Sequence, residues 1–83
     1  MYKLHISTKA ATELKKISQL HKEAIVNALQ EIQEDPLIGK SLTRELTGRF
    51  SYKVGVYRII YTINKKDKLI QIITAGHRAT IYK

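Results

Sequence analysis

The segment from residue 49 to residue 61, RFSYKVGVYRIIY, constrains the fold of this chain more than any other part of the sequence. Its two short alternating runs are joined by Gly55 and Val56. A two-residue type II′ turn requires glycine at its first central position, so the segment predicts a β-hairpin. In that hairpin Lys53 lies directly opposite Arg58, and both side chains point to the same face of the sheet.

This pair of cations has two possible interpretations. Like charges at directly opposed positions destabilise a sheet by roughly a few tenths of a kcal/mol. An anionic ligand between Lys53 and Arg58 would relieve that repulsion, which favours a binding site. The alternative is that both side chains diverge into water, and the pattern alone supports the two interpretations equally.

Two amphipathic helices are predicted before the hairpin. Residues 2–7 alternate as a short strand, and apolar residues then recur at helical spacing over residues 8–20 and about 21–34. The dipeptide Asp35-Pro36 ends the second helix, because the residue before a proline is disfavoured in helical geometry. Residues 36–48 contain a proline and two glycines without a sustained period, and they are predicted to form a loop.

Two more strands are predicted after the hairpin turn. They cover residues 57–63 and 68–75, with a polar turn at Asn64–Asp67 between them and Gly76 ending the second strand. Their pairing would create one apolar face for the helices to cover and an opposite face that bears cations. We expect Ile59 opposite Ile72 and Tyr61 opposite Ile70, with Arg58, Ile60, Gln71 and Ile73 on the other face.

The positive charge is confined to the second part of the chain. The 83 residues fit a single domain with a modest core, and their net charge is +8. Residues 1–35 hold five lysines and five acidic residues, whereas residues 36–83 hold ten basic and two acidic residues. This asymmetry favours a polyanionic partner, either nucleic acid or an acidic protein, or both in turn. The alternative is a solvated basic surface that aids solubility.

Several classes of protein are disfavoured by what the sequence lacks. It has no cysteine, which is compatible with the reducing cytoplasm, and its beginning, MYKLHIST, has no apolar signal-peptide core. No apolar run reaches the roughly 20 residues of a membrane span. Nucleotide-binding and metalloprotease motifs are missing, and histidines 5, 21 and 77 do not have metal-ligand spacing, so no metal or cofactor is expected.

Four sequence blocks together carry a resemblance to a known family. They are the helix stop at Asp35-Pro36, the Leu46-x-Gly48 approach, the core YKVGVYRIIY, and the closing GHR-x3-Y block that begins at Gly76. With them the chain resembles the RelE-type toxins of the RelE/ParE superfamily over nearly its whole length. The resemblance implies a single RelE-like domain over residues 1–83. It also implies an α+β fold of order β-α-α-β-β-β, with a two-helix hairpin packed on one face of an antiparallel sheet.

The resemblance also implies an activity and its residues. RelE-type toxins enter the ribosomal A site and cut messenger RNA by attack of a ribose 2′-OH on the adjacent phosphate, without a metal. The matching catalytic positions are Lys53, Arg58, Arg78 and Tyr82. Arginine forks clamp phosphate, a lysine among other cations can assist proton transfer or stabilise charge, and a tyrosine can stack on a base. Further RNA-binding residues are predicted at Arg44, Arg49 and His77.

Two positions depart from the family pattern. Gly55 stands where some members carry a second lysine, and Thr47 occupies another position that is basic in some members. Arg49 can replace part of this charge, but the general base stays open. Two alternative functions therefore remain: a ParE-like gyrase poison, and a non-catalytic module that acts only in an antitoxin complex. The ending GHR with Tyr82 resembles the RelE branch better than the ParE branch.

The implied partners are the ribosome with its messenger RNA, and an acidic cognate antitoxin that wraps the basic half of the chain. A complex of the two proteins would contribute to operator DNA binding, as expected of toxin and antitoxin pairs. No membrane association is expected, and the cytoplasm is the expected location.

Overall fold

The computed structural model describes residues 2–43 and 47–77, and within these it has two helices and five strands. A short 3-10 helix, Pro36–Ile38, connects the second helix to the second strand. Arg44, Arg78 and Tyr82, three of the residues predicted to act on RNA, lie outside the described residues. In chain order the elements are β1 (Lys3–Ile6), α1 (Thr8–Lys15), α2 (Gln19–Glu34), β2 (Lys40–Ser41), β3 (Arg49–Val54), β4 (Tyr57–Asn64) and β5 (Leu69–His77).

The helices begin and end at residues whose side chains suit those positions. The Ser7 hydroxyl accepts a hydrogen bond from the Ala10 N–H at 3.0 Å and so caps α1. Extended backbone at Ser18 precedes α2, so α1 ends at Lys15 and not near residue 20 as predicted. The α2 helix ends before Asp35 as predicted, and the Asp35 carboxylate then accepts from the N–H of Leu37 at 3.3 Å.

The predicted α+β fold is confirmed, with both helices packed on one face of the sheet. In the described residues the strand order is β1-β5-β4-β3-β2. The sheet is mixed and not wholly antiparallel, because β1 pairs parallel to β5 at one edge. At the other edge β2 adds a strand within the stretch predicted as loop. Two residues are too few to show the alternation by which a strand is recognised.

The predicted register between β4 and β5 is wrong. Tyr61 pairs with Ile72, and Ile59 pairs with Ala75. The connecting turn spans Lys65–Lys68, one residue later than the predicted Asn64–Asp67 and of the same length, and a bulge lies between Ile60 and Tyr61. The shifted turn changes the partner of Tyr61 by two residues, from Ile70 to Ile72. Because side chains alternate with period two, both partners lie on the helix side of the sheet. Continued without a break, the pairing of Tyr61 with Ile72 would place Ile73 opposite Ile60. Because of the bulge, Ile60 pairs with Thr74 instead.

Apolar side chains of both helices and the inner sheet strands form one core. Tyr61, at the centre of the sheet, is fully buried within it. No helix in the described ranges is long and apolar enough to cross a membrane. The buried core residues are Ala10, Ile17, Ile25, Ala28, Leu29, Ile32, Ile59, Tyr61, Ile70, Ile72 and Ala75.

Candidate functional site

The turn between β3 and β4 has the predicted geometry. Gly55 has φ +61°. Val56, the second turn residue, does not have positive φ, because Lys68 is the only such residue other than glycine among those described. Positive φ at the first central residue alone is the pattern of a type II′ turn. Val54 pairs with Tyr57 next to this turn, and Lys53 pairs with Arg58 in the following position, as the sequence predicts.

Lys53 and Arg58 lie on the sheet face opposite the helices. Their neighbours along the strands, Tyr52 and Ile59, pack toward the core, and successive residues of a strand alternate between faces. Lys53 is exposed, while Arg58 is half-buried and its Nε atom is buried. The pair is one step from the hydrogen-bonded pair at the turn, a position in which opposed Cα atoms are about 4.5 Å apart. The Cα atoms that carry these two positive side chains are therefore only about 4.5 Å apart.

A groove of about 450 Å³ lies beside this pair at the β2–β3 edge of the sheet. Of its described lining residues, three are cations and none is acidic, so the groove suits an anion. It is open to solvent, and its cations are of the type that holds phosphate by charge-assisted hydrogen bonds. The lining residues are Ile38, Lys40, Leu42, Ser51, Tyr52, Lys53 and Arg58.

Lys40 is the lining cation that sequence reasoning missed. It pairs with Ser51 in the β2–β3 ladder, and paired residues present their side chains to the same face. The relevant strand has only two residues, so no alternation marks it in the sequence. The local sequence Gly39-Lys40 gave no other sign that this lysine would lie near Lys53 and Arg58.

A buried tyrosine holds the segment that carries Lys40 against the sheet. The Tyr61 hydroxyl donates to the Pro36 carbonyl at 2.7 Å and accepts from the Gly39 N–H at 3.0 Å. Burial raises the pKa of Tyr61, so the phenol stays protonated and able to donate. A Cβ on Gly39 would collide with the Tyr61 hydroxyl, so this approach requires glycine. The ring of Phe50 stacks on that of Tyr61, with centroids 5.5 Å apart.

A second tyrosine joins the hairpin to the helical layer. The Tyr52 hydroxyl donates to Glu31 Oε2 of α2 at 2.5 Å. This hydrogen bond to a carboxylate, with a smaller contribution from burial, raises the pKa of Tyr52. Because Tyr52 precedes Lys53 in β3, the contact ties the strand that bears the cation to α2.

Arg49 and His77, the predicted RNA-binding residues that the structure describes, lie apart from the groove. Arg49 is exposed and shares the face of Lys53, but it lies four residues away along β3, or about 13 Å at the usual rise. The β5 strand runs through Gly76, contrary to the prediction that this glycine ends it, because Gly76 pairs with Arg58. His77 consequently continues the strand and does not fold back beside the basic face.

His77 lies on the helix side of the sheet. Its ring contacts that of Tyr57 with centroids 6.0 Å apart, and Tyr57 also contacts His21 of α2 at 5.3 Å. The rings of Tyr57 and His77 border a cleft of about 350 Å³ that Glu13 of α1 also lines. Among the described residues no group of three or more His, Cys, Asp or Glu side chains is arranged to hold a metal ion.

Comparison with known proteins gives concordant matches over almost the whole chain. The family described as ParE toxin of type II toxin–antitoxin system, parDE, matches residues 4–82. Toxin RelG of Mycobacterium tuberculosis is 36% identical over 84 residues, which cover 99% of this chain and 97% of that protein.

Solved structures agree with this result. The toxin–antitoxin complex RelBE2 from M. tuberculosis contains a chain with a TM-score of 0.85 and 34% identity, covering 93% of this chain and 98% of that one. The intact E. coli RelBE toxin–antitoxin complex gives a TM-score of 0.81 at 23% identity, with coverage of 93% and 96%. The second likeness concerns the fold alone.

Proposed function

Because the chain belongs to the RelE/ParE superfamily of type II toxin–antitoxin toxins, we propose that it is a ribosome-dependent endoribonuclease that cuts messenger RNA in the A site and thereby inhibits translation. The observation that carries the proposal is the opposed pair Lys53 and Arg58 beside a groove whose described lining residues include no acidic one. The cytoplasm, where ribosomes translate, is the compartment in which this activity takes place.

The proposed reaction is an internal transfer at phosphorus. The ribose 2′-oxygen attacks the adjacent phosphorus, the bond from phosphorus to the 5′-oxygen breaks, and a 2′,3′-cyclic phosphate and a 5′-hydroxyl result. The proton leaves the 2′-OH for a base, and a donor protonates the departing 5′-oxygen. Negative charge develops on the phosphate oxygens, and cations fixed in advance at that position stabilise it.

Arg58 is the residue best placed to bind this charge. Its half-buried side chain has less freedom to lose on binding, and a guanidinium can donate two parallel hydrogen bonds to one phosphate. Lys53, directly across the ladder, stabilises the same charge or assists proton transfer. By family resemblance Arg78 is the second phosphate clamp and Tyr82 stacks on or orients a base.

An acidic antitoxin is the second proposed partner. Two of the structural relatives are described as toxin–antitoxin complexes, and this chain carries its excess of positive charge in residues 36–83. An acidic protein on the basic face would cover Lys53 and Arg58 and so block access of RNA to the groove. The complex of both proteins is proposed to bind operator DNA.

Substitution of Arg58 tests the site in cells. We expect Arg58→Ala to abolish the growth inhibition caused by induced wild-type protein, because the phosphate loses its principal clamp. Lys9→Ala removes one charge from the exposed side of α1 and should leave growth inhibition intact. Circular dichroism and urea unfolding would show that both variants fold. Undiminished toxicity of folded Arg58→Ala would refute the assignment of this site.

A gyrase poison is the competing function, favoured by the match to a family described as ParE toxin. The two functions differ in the molecule that is damaged. Purified protein that inhibits DNA supercoiling and leaves messenger RNA intact on translating ribosomes would support the gyrase function and exclude the proposed one.

A further inference from the structure

The groove has a third cation, Lys40, which does not belong to the hairpin. Gly55, with φ +61°, forms the hairpin turn and adds no charge to the groove. A side chain at this φ would strain the backbone. Lys40 reaches the same groove from a different strand, beyond the hairpin.

The strand register places the three cations in one band across the sheet. Lys40 pairs with Ser51 in β3, and Lys53 follows Ser51 by two residues on the same face. Lys40 and Lys53 are therefore diagonal neighbours, a relation in which residues start about 7–8 Å apart. Arg58 lies on the other side of Lys53, so the central lysine is flanked by a cation on each neighbouring strand.

Neither lysine of this band has an acidic partner among the described residues. None of the described lining residues of the groove is acidic, and Lys40 and Lys53 form no ion pair with the other residues that the structure describes. Glu31, which bonds the Tyr52 hydroxyl, belongs to α2 on the opposite face of the sheet. The three cations repel one another while the groove is empty. A bound polyanion attracts all three and offsets this repulsion, so binding is favourable.

The backbone next to Lys40 is hydrogen-bonded to a buried residue of the sheet. The Tyr61 hydroxyl fixes the N–H of Gly39, the residue before Lys40, and the Pro36 carbonyl upstream of it. The side chain is exposed while the backbone beneath it is anchored to the buried centre of the sheet. Little additional ordering of the backbone is then needed when a ligand binds.

We propose that Lys40 is a phosphate-binding residue of the groove and contacts the RNA backbone next to the phosphate held by Lys53 and Arg58. The identification of the anion as RNA rests on the proposed function. The contact adds a third positive charge to the two that the hairpin supplies.

Binding of a short single-stranded RNA at several salt concentrations tests this contact. The probe lacks the 2′-OH at its central nucleotide, so it cannot be cut there. Lys40→Gln should weaken binding roughly fivefold at low salt, the effect of one solvent-exposed charge contact. The slope of log Kobs against log[salt] should become shallower by about 0.7, as expected for one lost contact to a single strand.

Matched variants separate this contact from net charge. Lys9→Gln removes the same charge from α1 and should retain the wild-type salt slope, while Lys40→Arg keeps the charge and should restore it. If Lys40→Gln matches wild type in both Kd and slope, or if wild type does not bind the probe, the proposal is wrong. Unchanged RNA binding combined with weaker antitoxin binding would instead assign Lys40 to the antitoxin.

The same variants distinguish failure of this inference from failure of the proposed function. Cleavage of messenger RNA by wild type on translating ribosomes tests the function and does not depend on Lys40. Should wild type bind the probe through Lys40 and cut no messenger RNA, the phosphate contact stands while the nuclease function fails. Should Lys40→Gln bind the probe as wild type does while wild type cuts messenger RNA, the contact is refuted and the nuclease function stands.

Discussion

At the residue scale, the Tyr61 hydroxyl links the core to the groove. It satisfies a carbonyl and an N–H of the segment that joins α2 to β2, and both groups would lose their partner without it. The segment lies next to Lys40, so one buried oxygen on the helix side contributes to the arrangement of cations on the opposite face. Tyr61 is thus a positioning residue for the groove.

We expect Tyr61→Phe to lower the free energy of unfolding by about 1–3 kcal/mol, the usual cost of leaving buried polar groups unsatisfied. Urea unfolding monitored by circular dichroism measures this change. Tyr2→Phe is a matched control, since the Tyr2 hydroxyl makes no hydrogen bond among the described residues, and it should cost under about 0.5 kcal/mol. Equal effects of the two substitutions would contradict the role given to Tyr61.

The sequence was informative about single residues only where a turn fixed their register. Lys53 and Arg58 could be placed opposite each other because two turn residues leave a single pairing. Lys40 could not, because its position depends on β2 and on the bonds from Tyr61 to Pro36 and Gly39. The two hydrogen bonds join residues 22 and 25 positions apart, and no local pattern records them.

At the element scale, the β3–β4 hairpin determines the geometry of the groove. Its turn fixes which side chains of the two strands are neighbours, and its Tyr52 ties the ribbon to α2 through Glu31. The β2 strand then completes the groove at the open edge of β3. The element is rigid where it is paired and accessible where the cations lie, as a binding ribbon needs to be.

We predict that Gly55→Ala destabilises the protein by about 1–2 kcal/mol, because Gly55 has φ +61° and an L-residue there is strained. Space is not the cause, since a Cβ at this position meets nothing within 4 Å. The urea midpoint measures the loss. Val56→Ala at the other turn position should shift it much less, because Val56 is exposed and does not have positive φ. A Gly55→Ala protein as stable as wild type would show that the turn has another conformation.

Prediction at this scale succeeded for elements with regular periods and failed at irregular ones. The hairpin and both helices were recognised from alternation and helical spacing, and the end of α2 from Asp35-Pro36. The register of β5 was wrong because the Lys65–Lys68 turn lies one residue later than predicted and because nothing in the sequence marks a bulge at Ile60. Neither deviation moved Tyr61 or Ile59 from the apolar face.

At the scale of the whole molecule, the uneven charge along the chain becomes uneven charge across the fold. The nearly neutral residues 1–35 supply both helices, which cover one side of the sheet. The basic residues 36–83 supply β2 to β5. Lys40, Arg49, Lys53 and Arg58 project from the face that the helices leave uncovered. The charge distribution in the sequence therefore predicted that this molecule has a basic side, although not which residues meet in the groove.

The most direct test of the nuclease function is primer extension on messenger RNA in a reconstituted translation reaction with a known codon in the A site. Wild-type protein should create new RNA ends within that codon, and only when ribosomes are present. Arg58→Ala should reduce them by about 100-fold or more, the scale of losing one fixed charge-stabilising group. Intact messenger RNA with folded wild-type protein, or equal cleavage by Arg58→Ala, would contradict the account.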